Sequence, residues 1–322
     1  MNPLVSIIIP SYKRPVSLKR SIDSALNQTY KEIEVIVIDD NNEDDVFRKE
    51  TIELMKEYSD NPKVHYLKHK FNKNGSAARN TGILYSKGDY IALLDDDDCF
   101  LPRKVEYQVD MLEGSINFDA VCCNYVKIYK KYIYKVSKIE LKGEGVYTCE
   151  LLSGKLDFAA GSTILVRKSV FQKIGLFDES FKRHQDWEFL IRFFRIGKLG
   201  FVDEVLTQIH SDGIRNYPNA ENVKKVKLYL LEKFECDIHS LSIVCQENIM
   251  RFQWFETALL FLKEREFNQA LYIFKNKIYL NKFIKITDIL KIGGFLLSGF
   301  FPALKKIYCI FVGIIFYRKY KF

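Results

Sequence analysis

The chain has 322 residues, of which 48% are hydrophobic and 28% charged, a composition typical of a globular protein and not of a disordered one. This length is enough for one large domain with a smaller appendage. The seven cysteines form no CxxC pair, so neither a disulfide framework nor a zinc site is expected, and a reducing cytosol fits best. The opening residues lack a cationic signal-peptide region, so no signal peptide is expected.

Positive charge is concentrated at the C-terminal end. The net charge of the chain is +8, and ten Lys/Arg with one Asp from residue 275 onward give that segment +9. Residues 1–274 together therefore carry −1. A partner that binds through basic residues is accordingly expected at the tail.

The first part of the sequence alternates short apolar strands with amphipathic helices. The predicted strands are LVSIIIP, IEVIVIDD, VHYL and YIALL, and the predicted helices run from Pro15 to Gln28, up to about Tyr58, and from about Ser76 to Tyr85. Strands this apolar, separated by helices, favour an α/β fold with a mostly parallel, Rossmann-like sheet covered on both faces.

The pattern changes after Leu101. A helix (PRKVEYQVDML), two long strands with a turn (DAVCCNYVKIYKKYIYKV), a strand followed by a helix (STILVRKSVFQKIGLFDE), a helix (HQDWEFLIRFFRIG) with Gly197 as its C-cap and a strand (GFVDEVLTQIH) are predicted in that order. From about Asn222 the signal is helical. We therefore expect a first domain over residues 1–215 and a helical region over residues 216–322.

Polar residues follow three of the predicted strands. They are Pro10 to Arg14, Asp39 to Asn42, and Asp95 to Asp98. In open α/β sheets, ligands bind beyond the carboxyl ends of the strands, so these segments are expected to converge on one crevice.

The four consecutive aspartates that begin at Asp95 need a compensating charge. Carboxylates this close raise one another's pKa values unless a cation neutralises them, and a hard divalent ion such as Mn²⁺ or Mg²⁺ is the natural partner. Asp95 and Asp97, one residue apart on an extended chain, are expected to point the same way. A solvated turn is the alternative interpretation.

Six segments, in order and at similar spacing, now carry a resemblance to a known family. They are VSIIIPSYKR, VIVIDDNNED, NGSAARNTGI, GDYIALLDDDD, IGLFDESF and HQDWEFLIR. Over roughly residues 3–212 the chain resembles the family-2 nucleotide-sugar glycosyltransferases, inverting enzymes of GT-A fold. The resemblance implies transfer of a sugar from a nucleoside-diphosphate sugar.

The resemblance also implies roles at matching positions. Asp40 matches the residue that reads the base edge, with Asp39 beside it, and Pro10, Tyr12 and Arg14 belong to the first loop. Arg79 matches a residue near the diphosphate, and the aspartate run covers the DxD motif. The implied nucleotide-sugar-binding residues are therefore Pro10, Tyr12, Arg14, Asp39, Asp40, Arg79, Asp95 and Asp96. The implied metal ligands are Asp97, as principal ligand, with Asp95 and His210, while Asp98 is expected to face away from the ion.

By the same resemblance, Asp186 matches the general base that takes a proton from the acceptor hydroxyl. Family members usually have a glutamate before this aspartate, and this chain has Gln185 instead. We expect the chemistry to survive this change and the local electrostatics to differ. The alternative interpretation of Asp186 is a plain helix N-cap. For His210, a lone histidine at a strand end, a structural role is the alternative.

The last thirty or so residues contain two apolar runs split by Lys305 and Lys306, each shorter than the ~20 residues a membrane span needs. Interleaved aromatics and lysines suit helices lying on an anionic membrane surface. We therefore expect a cytoplasmic protein peripheral to the inner face of the cell membrane, with a glycan or lipid-linked glycan acceptor in bacterial capsule, lipopolysaccharide or exopolysaccharide synthesis. A buried helical hairpin and a single tilted span are the alternatives.

Several other functions are less well supported. GxGxxG and GxxxxGK[ST] are absent, which argues against a dehydrogenase and a phosphate-loop NTPase, and PSYKRPVS lacks the glycines of a nucleotidyltransferase loop. Without the Gln-x-x-Arg-Trp signature of processive synthases, addition of one sugar per encounter is expected. A catalytically inactive scaffold of the same fold stays open. The aliphatic residues within the tail argue against nucleic-acid binding.

Overall fold

The structure is a computed structural model, which describes residues 2–129, 132–137, 145–156, 158–211, 219–274 and 277. The chain divides into two compact units, Met1–Val146 with Phe158–Gly213, and Tyr147–Asp157 with Ile214–Phe322. The predicted boundary near residue 215 lies among residues 212–218, outside the described residues. The segment Tyr147–Asp157 belongs to the second unit, whereas the sequence analysis had placed it in the first domain.

The first unit contains the strands and seven of the described helices, numbered here in chain order. The strands are β1 (Val5–Ser11), β2 (Ile33–Asp39), β3 (Val64–Lys68), β4 (Tyr90–Leu93), β5 (Cys99–Phe100), β6 (Ala120–Tyr129), β7 (Tyr132–Val136), β8 (Leu165–Arg167) and β9 (Leu199–His210). The helices are α1 (Pro15–Leu26), α2 (Val46–Lys56), α3 (Gly75–Tyr85), α4 (Lys104–Gly114), α6 (Ala160–Thr163), α7 (Lys168–Ile174) and α8 (Gln185–Phe194), while α5 (Thr148–Leu152) belongs to the second unit.

The described strands form one sheet in the order β3-β2-β1-β4-β8-β6-β9-β5, with β7 paired to β6. The α/β class is confirmed, and β3, β2, β1 and β4 are parallel as predicted. Beyond β4 the sheet is mixed, since β8 is antiparallel to β4 and β6, while β6 is parallel to β9. The β6–β7 connection is too short for a parallel crossover, so this pair is an antiparallel hairpin.

The two faces of the sheet explain why the strands are apolar throughout. Alternate residues of β1 point to opposite faces, so Ile7 and Ile9 join the hydrophobic cluster that contains Leu18 of α1. Ile8 faces the other side, where Gly82 of α3 lies so close that a Cβ there would be 2.5 Å from the Ile8 side chain. Helices therefore cover both faces and leave the carboxyl ends of the strands for the site.

Two predicted boundaries are wrong. The segment predicted as a strand from Ser162 begins with helix α6, and β8 starts at Leu165. Helix α8 has its C-cap at Arg195 and not at Gly197. Gly197 is needed for close approach instead, because a Cβ there would lie 2.5 Å from the Phe193 ring.

The described elements of the second unit are helices, as the sequence predicted from about Asn222 onward. Its helices are α5 (Thr148–Leu152), α9 (Ala220–Lys233), α10 (Glu235–His239), α11 (Ile243–Lys263) and α12 (Phe267–Ile273). Trp254, Phe255 and Phe261 of α11 pack with Ala270 and Ile273 of α12. No helix in the described ranges has the length and apolar character needed to cross a membrane. The basic tail and its predicted membrane contact lie outside the described residues.

A disulfide joins α5 to α11. Cys149 and Cys245 are bonded, with their Cα atoms 5.9 Å apart and a sequence separation of 96. The expectation that the cysteines form no disulfide is therefore wrong for this pair. Pairing across such a separation depends on how the helices meet, which spacing along the chain does not reveal.

Candidate functional site

The loops that follow β1, β2 and β4 meet at the carboxyl edge of the sheet. The backbone N–H of Tyr12 donates to Oδ2 of Asp96 at 3.0 Å, and the N–H of Lys13 donates to Oδ1 of Asn41 at 2.8 Å. Pro10 precedes this loop within β1. The structure thus brings together the three segments that the sequence placed at one crevice.

The four aspartates form a turn and not an extended chain. The N–H of Asp98 donates to the carbonyl of Asp95 at 3.1 Å, which closes a turn over Asp96 and Asp97. The expectation that Asp95 and Asp97 lie one apart on an extended strand is therefore wrong. Of the four, Asp95 and Asp98 line a cavity of this unit.

Arginines compensate the charge of three of the aspartates. Arg14 Nη1 lies 3.1 Å from Asp96 Oδ1 and 2.8 Å from Asp97 Oδ2. Arg79 Nη2 lies 2.7 Å from Asp95 Oδ1. Burial raises the pKa of Asp96 to about 7, while the Arg14 charge acts in the opposite direction. Two arginines, one at the start of α1 and one in α3, therefore offset much of the repulsion among the four aspartates.

Asp98 is a buried carboxyl group inside the fold. Its Oδ2 accepts from Ser162 Oγ at 2.5 Å, and its Oδ1 accepts from the backbone N–H of His210 at 3.0 Å. Burial, together with the charges of Asp95 and Asp97, raises its pKa well above the ordinary aspartate value. Asp98 therefore links the end of β4 to α6 and to the end of β9.

Asp40, predicted to read the base, is almost fully buried. Its Oδ1 lies 2.7 Å from His69 Nδ1 and accepts from the N–H of Lys73 at 2.9 Å. Its Oδ2 accepts from Asn72 Nδ2 at 2.7 Å and from the N–H of Asn74 at 3.0 Å. These four contacts hold the loop before α3. Contact with a base is possible for Asp40 only if one of them is released.

Asp39 is also buried, and its carboxylate contacts other residues inside the fold at the end of β2. Its Oδ2 accepts from the Tyr66 hydroxyl at 2.6 Å and lies 3.3 Å from Arg48 Nη1. Its Oδ1 accepts from the backbone and side chain of Asn41 at 3.0 and 2.8 Å. Burial and the bond to Asp39 raise the pKa of Tyr66. Asp39 thus shapes the loop after β2, and its predicted donor contact stays a prediction.

A cavity of about 290 Å³ opens beside this edge. It brings the predicted diphosphate residue Arg79, the aspartates Asp95 and Asp98, and the predicted base Asp186 onto one surface. Its walls are completed by Ala159, Gly161, Lys182, Arg183, His184, Gln185 and Ile209. Two of the predicted donor residues, Arg79 and Asp95, therefore share this cavity with the predicted base, whereas Pro10, Tyr12, Arg14, Asp39, Asp40 and Asp96 do not line it.

Asp186 lies in the first turn of α8 and is not its N-cap. The cap position is His184, which has φ 57°, and no side chain caps the helix. Burial raises the pKa of Asp186, and the nearby Arg79 charge lowers it. The N-cap alternative is thus excluded, and the carboxyl group is placed on the cavity wall.

Arg79 connects the two predicted halves of the site. Its Nη2 holds Asp95, and its Nη1 donates to Oε1 of Gln185 at 2.9 Å. Gln185 in turn donates from Nε2 to the carbonyl of Phe181 at 2.9 Å. A neutral amide at position 185 accepts from Arg79 without adding a second negative charge beside Asp186.

Three positioning residues were missed by the sequence analysis. Ser162 accepts from the N–H of Asp95 at 3.1 Å while it donates to Asp98. A Cβ at Gly161 would lie 2.5 Å from Oδ2 of Asp95, so a larger residue there would require that carboxylate to move. Ala159 has φ 48°, a conformation that residues other than glycine rarely adopt. The signal was the run of small residues in AAGST, which had been interpreted in part as a strand.

The three predicted metal ligands do not gather in one place. Asp97 is paired with Arg14, and His210 is buried, with Ile209 and not His210 on the cavity wall. Within the described ranges, no group of three or more His, Cys, Asp or Glu side chains is arranged to hold an ion. Asp95 does face the cavity with a carboxylate that suits a hard ion. Mg²⁺ typically binds through one or two carboxylates plus substrate phosphates, so this donor chemistry fits such an ion.

The fold is similar to that of solved transferase structures. TarS of S. aureus (residues 1–349) in complex with UDP-GlcNAc superposes with a TM-score of 0.56 at 13% identity, covering 84% of this chain and 90% of that chain. The same TarS fragment in complex with UDP gives a TM-score of 0.54 at 13% identity, covering 84% and 86%. At this level of identity the likeness concerns the fold alone, and that fold is the GT-A glycosyltransferase fold.

Sequence comparison identifies the family to which the chain belongs. The profile described as "Glycosyl transferase family 2" matches residues 6–175, and the chain belongs to this family. An uncharacterised glycosyltransferase of Rickettsia prowazekii is 38% identical over 240 residues, 73% of this chain and 70% of its own length. The amylovoran biosynthesis glycosyltransferase AmsB of Erwinia amylovora is 31% identical over 207 residues, 63% of this chain and 67% of its own length. The chain also matches uncharacterised glycosyltransferases of Rickettsia typhi and Rickettsia felis, and the match covers 63% and 35% of the length of those two proteins.

Proposed function

We propose that this protein transfers one sugar from a nucleoside-diphosphate sugar to a hydroxyl group of a glycan acceptor with inversion at the anomeric carbon. The observation that carries the proposal is the single cavity on which Arg79, Asp95 and Asp186 lie together. A cation for the leaving group and a carboxylate suited to a divalent ion thus share one cavity with the half-buried Asp186, whose carboxyl group is assigned to the incoming hydroxyl.

The donor is a UDP-sugar in this proposal. Support comes from the fold likeness to TarS, which has been solved with UDP and with UDP-GlcNAc. The first loop, with Pro10, Tyr12 and Arg14, lies beside Asp96, where the base and ribose are expected. Asp39 and Asp40 would contribute by holding the loops that flank the base.

In the proposed catalytic step, Asp186 is the general base that accepts a proton. As the acceptor oxygen attacks the anomeric carbon, its proton passes to the Asp186 carboxylate, and the bond from that carbon to the donor phosphate breaks. The electron pair of the broken bond leaves with the nucleoside diphosphate. Arg79 stabilises the charge that grows on this leaving group, because a fixed cation placed beforehand costs no reorganisation during the reaction. Attack and departure on opposite faces produce inversion.

A divalent ion, Mn²⁺ or Mg²⁺, belongs to the proposal as the companion of the donor diphosphate. Asp95 is the predicted ligand that faces the cavity, while Asp97 and His210 stay predictions as ligands. When bound, such an ion supplies Lewis-acid stabilisation of the diphosphate oxygens. Asp98 has both carboxyl oxygens engaged with Ser162 and His210, so we assign it to holding the turn.

The acceptor is a lipid-linked glycan of a bacterial surface polysaccharide in this proposal. The relative AmsB is named for amylovoran biosynthesis, which supports an exopolysaccharide role. The segment from residue 275 onward carries +9, which favours binding to the anionic inner face of the cell membrane. Localisation there would bring the enzyme to a membrane-bound acceptor, and no nucleic-acid partner is proposed.

A ligand screen tests the proposal. The full-length protein is heated with UDP-, GDP- and dTDP-sugars, each with and without Mn²⁺, because a ligand that binds the native state raises the melting temperature. We expect UDP-sugars to raise it in a Mn²⁺-dependent manner and to be hydrolysed slowly. A protein that binds none of these donors would contradict the proposal, and one that binds a donor without ever releasing UDP would favour the inactive scaffold.

A further inference from the structure

Two exposed cationic residues that precede the predicted base by three and four positions in sequence also line the cavity. Lys182 and Arg183 both have exposed side chains, and both belong to the cavity wall together with Asp186. Among the described residues, neither forms an ion pair with a carboxylate. Their charges therefore face the cavity without neutralisation by the part of the chain that the structure describes.

Two of the three carboxyl groups that line this cavity are engaged with other residues, and the third belongs to the predicted base, Asp186. Asp95 is paired with Arg79 at 2.7 Å, and Asp98 accepts from Ser162 Oγ at 2.5 Å. These groups do not neutralise Lys182 and Arg183. The ten-residue helix α8 adds a positive N-terminal end to the same wall, because its first two residues line the cavity. This side of the cavity is thus suited to an anion.

The residue that follows the two cations has an uncommon backbone conformation. The next residue, His184, has φ 57°, and its ring lies 4.8 Å from that of Trp187. A left-handed conformation is uncommon outside glycine, although histidine adopts it more often than most residues do, and such conformations cluster at ligand sites. The segment that presents Lys182 and Arg183 is therefore shaped by the start of α8.

We infer that Lys182 and Arg183 bind a phosphoryl group carried by the acceptor. Arginine and lysine donors suit phosphate oxygens, and the planar guanidinium binds two of them at once. The two residues adjoin Asp186 in sequence, and the acceptor hydroxyl is assigned to Asp186. The donor is assigned to Arg79 of α3 and to the loops after β1, β2 and β4, and of these residues Arg79 and Asp95 line the same cavity. This inference rests on the proposed function and adds to it that the acceptor is a phosphorylated glycan.

The test uses binding of a phosphorylated probe while the donor site is filled. The full-length protein, saturated with UDP and Mg²⁺, is titrated calorimetrically with glucose 1-phosphate and, as the neutral match, with methyl glucoside. The variant is Lys182→Ala/Arg183→Ala. The control Lys173→Ala/Lys198→Ala removes two exposed lysines of the same unit that do not line the cavity.

We expect the wild type and the control to bind glucose 1-phosphate, more weakly as salt is added, and the double variant to bind it about tenfold more weakly or worse. Affinity for UDP should be the same in all three proteins. Equal binding of glucose 1-phosphate by wild type and double variant would overturn the inference, as would its absence from the UDP-saturated wild type. Loss of UDP affinity in the double variant would instead assign the cations to the donor. Failure of the wild type to bind any nucleotide sugar would contradict the proposed function itself.

Discussion

Arg79 and Asp95 form an ion pair at the cavity, with Nη2 2.7 Å from Oδ1. The second terminal nitrogen of Arg79 donates to Gln185 at 2.9 Å, so one guanidinium holds the end of β4 against the start of α8. This use of both terminal nitrogens needs a planar fork that a lysine ammonium does not provide. The geometry of the proposed reaction therefore depends on arginine at this position and not on positive charge alone.

The variant Arg79→Lys tests this dependence. It keeps the charge but loses one of the two contacts, and we expect kcat/KM for UDP release from the donor to fall about tenfold to a hundredfold. Steady-state kinetics of UDP release measure the effect. Arg103→Lys is the matched control, because Arg103 is an exposed arginine paired with Glu106 at 3.0 Å. Equal rates for Arg79→Lys and the wild type would show that the fork has no role.

Gly161 gives a test of the position of Asp95. A Cβ at residue 161 would lie 2.5 Å from Oδ2 of Asp95, so Gly161→Ala should displace that carboxylate and lower kcat/KM about tenfold or more while the fold is retained. Gly114→Ala is the control, because a Cβ there meets nothing within 4 Å. Circular dichroism and melting temperature establish folding, and UDP release reports activity. Unchanged activity in folded Gly161→Ala would mean that Asp95 need not stay where the structure has it.

The pH dependence should reveal the pKa of Asp186. Burial raises this pKa, so the rate should increase with pH through a value above the ordinary aspartate range as the carboxyl group loses its proton. In Gln185→Glu, a carboxylate replaces the amide that accepts from Arg79. The new negative charge, and its pairing with Arg79, both favour the protonated form of Asp186. The acid limb of the pH–rate profile should therefore move to higher pH. A limb that stays in place or moves to lower pH would contradict this placement of Arg79 and Asp186.

The disulfide between Cys149 and Cys245 should stabilise the second unit. Closing a loop with a sequence separation of 96 restricts the unfolded chain, and we expect its loss to lower the free energy of unfolding by about 2–4 kcal/mol. Melting curves with and without reductant, and of Cys149→Ser/Cys245→Ser, measure the change. Cys236→Ser serves as control, because Cys236 is an exposed free thiol. A reductant effect of the same size in the double variant would contradict a role for this bond.

The sequence predicted the strand ends of the site well, for a physical reason. Buried strands such as β1 and β2 are continuous apolar runs, and polar residues that interrupt them mark the edge where loops meet, as Asp96 and Tyr12 do. Periodicity also located α1, α3 and α8. These features are local, so the neighbours of each residue along the chain carry the information.

Features that depend on distant contacts were not predictable in this way. The turn over Asp95–Asp98 was expected to be extended, because nothing local shows that Ser162 and the N–H of His210 hold Asp98. The pairing of Arg14 with Asp96 and Asp97 likewise depends on how α1 meets β4. A divalent ion had been expected to neutralise charges that the fold partly neutralises with arginines. The roles of these aspartates toward donor and ion stay predictions.

The central claim is that Asp186 accepts the proton in sugar transfer, and Asp186→Asn tests it most directly. The substitution keeps the size of the side chain and removes its basicity. We expect UDP release to fall roughly a thousandfold, within the range that general base catalysis contributes, while the donor still raises the melting temperature as in the wild type. Asp110→Asn, at an exposed position of α4, should retain full activity. Turnover by Asp186→Asn at the wild-type rate, with donor binding intact, would contradict the assignment of the base.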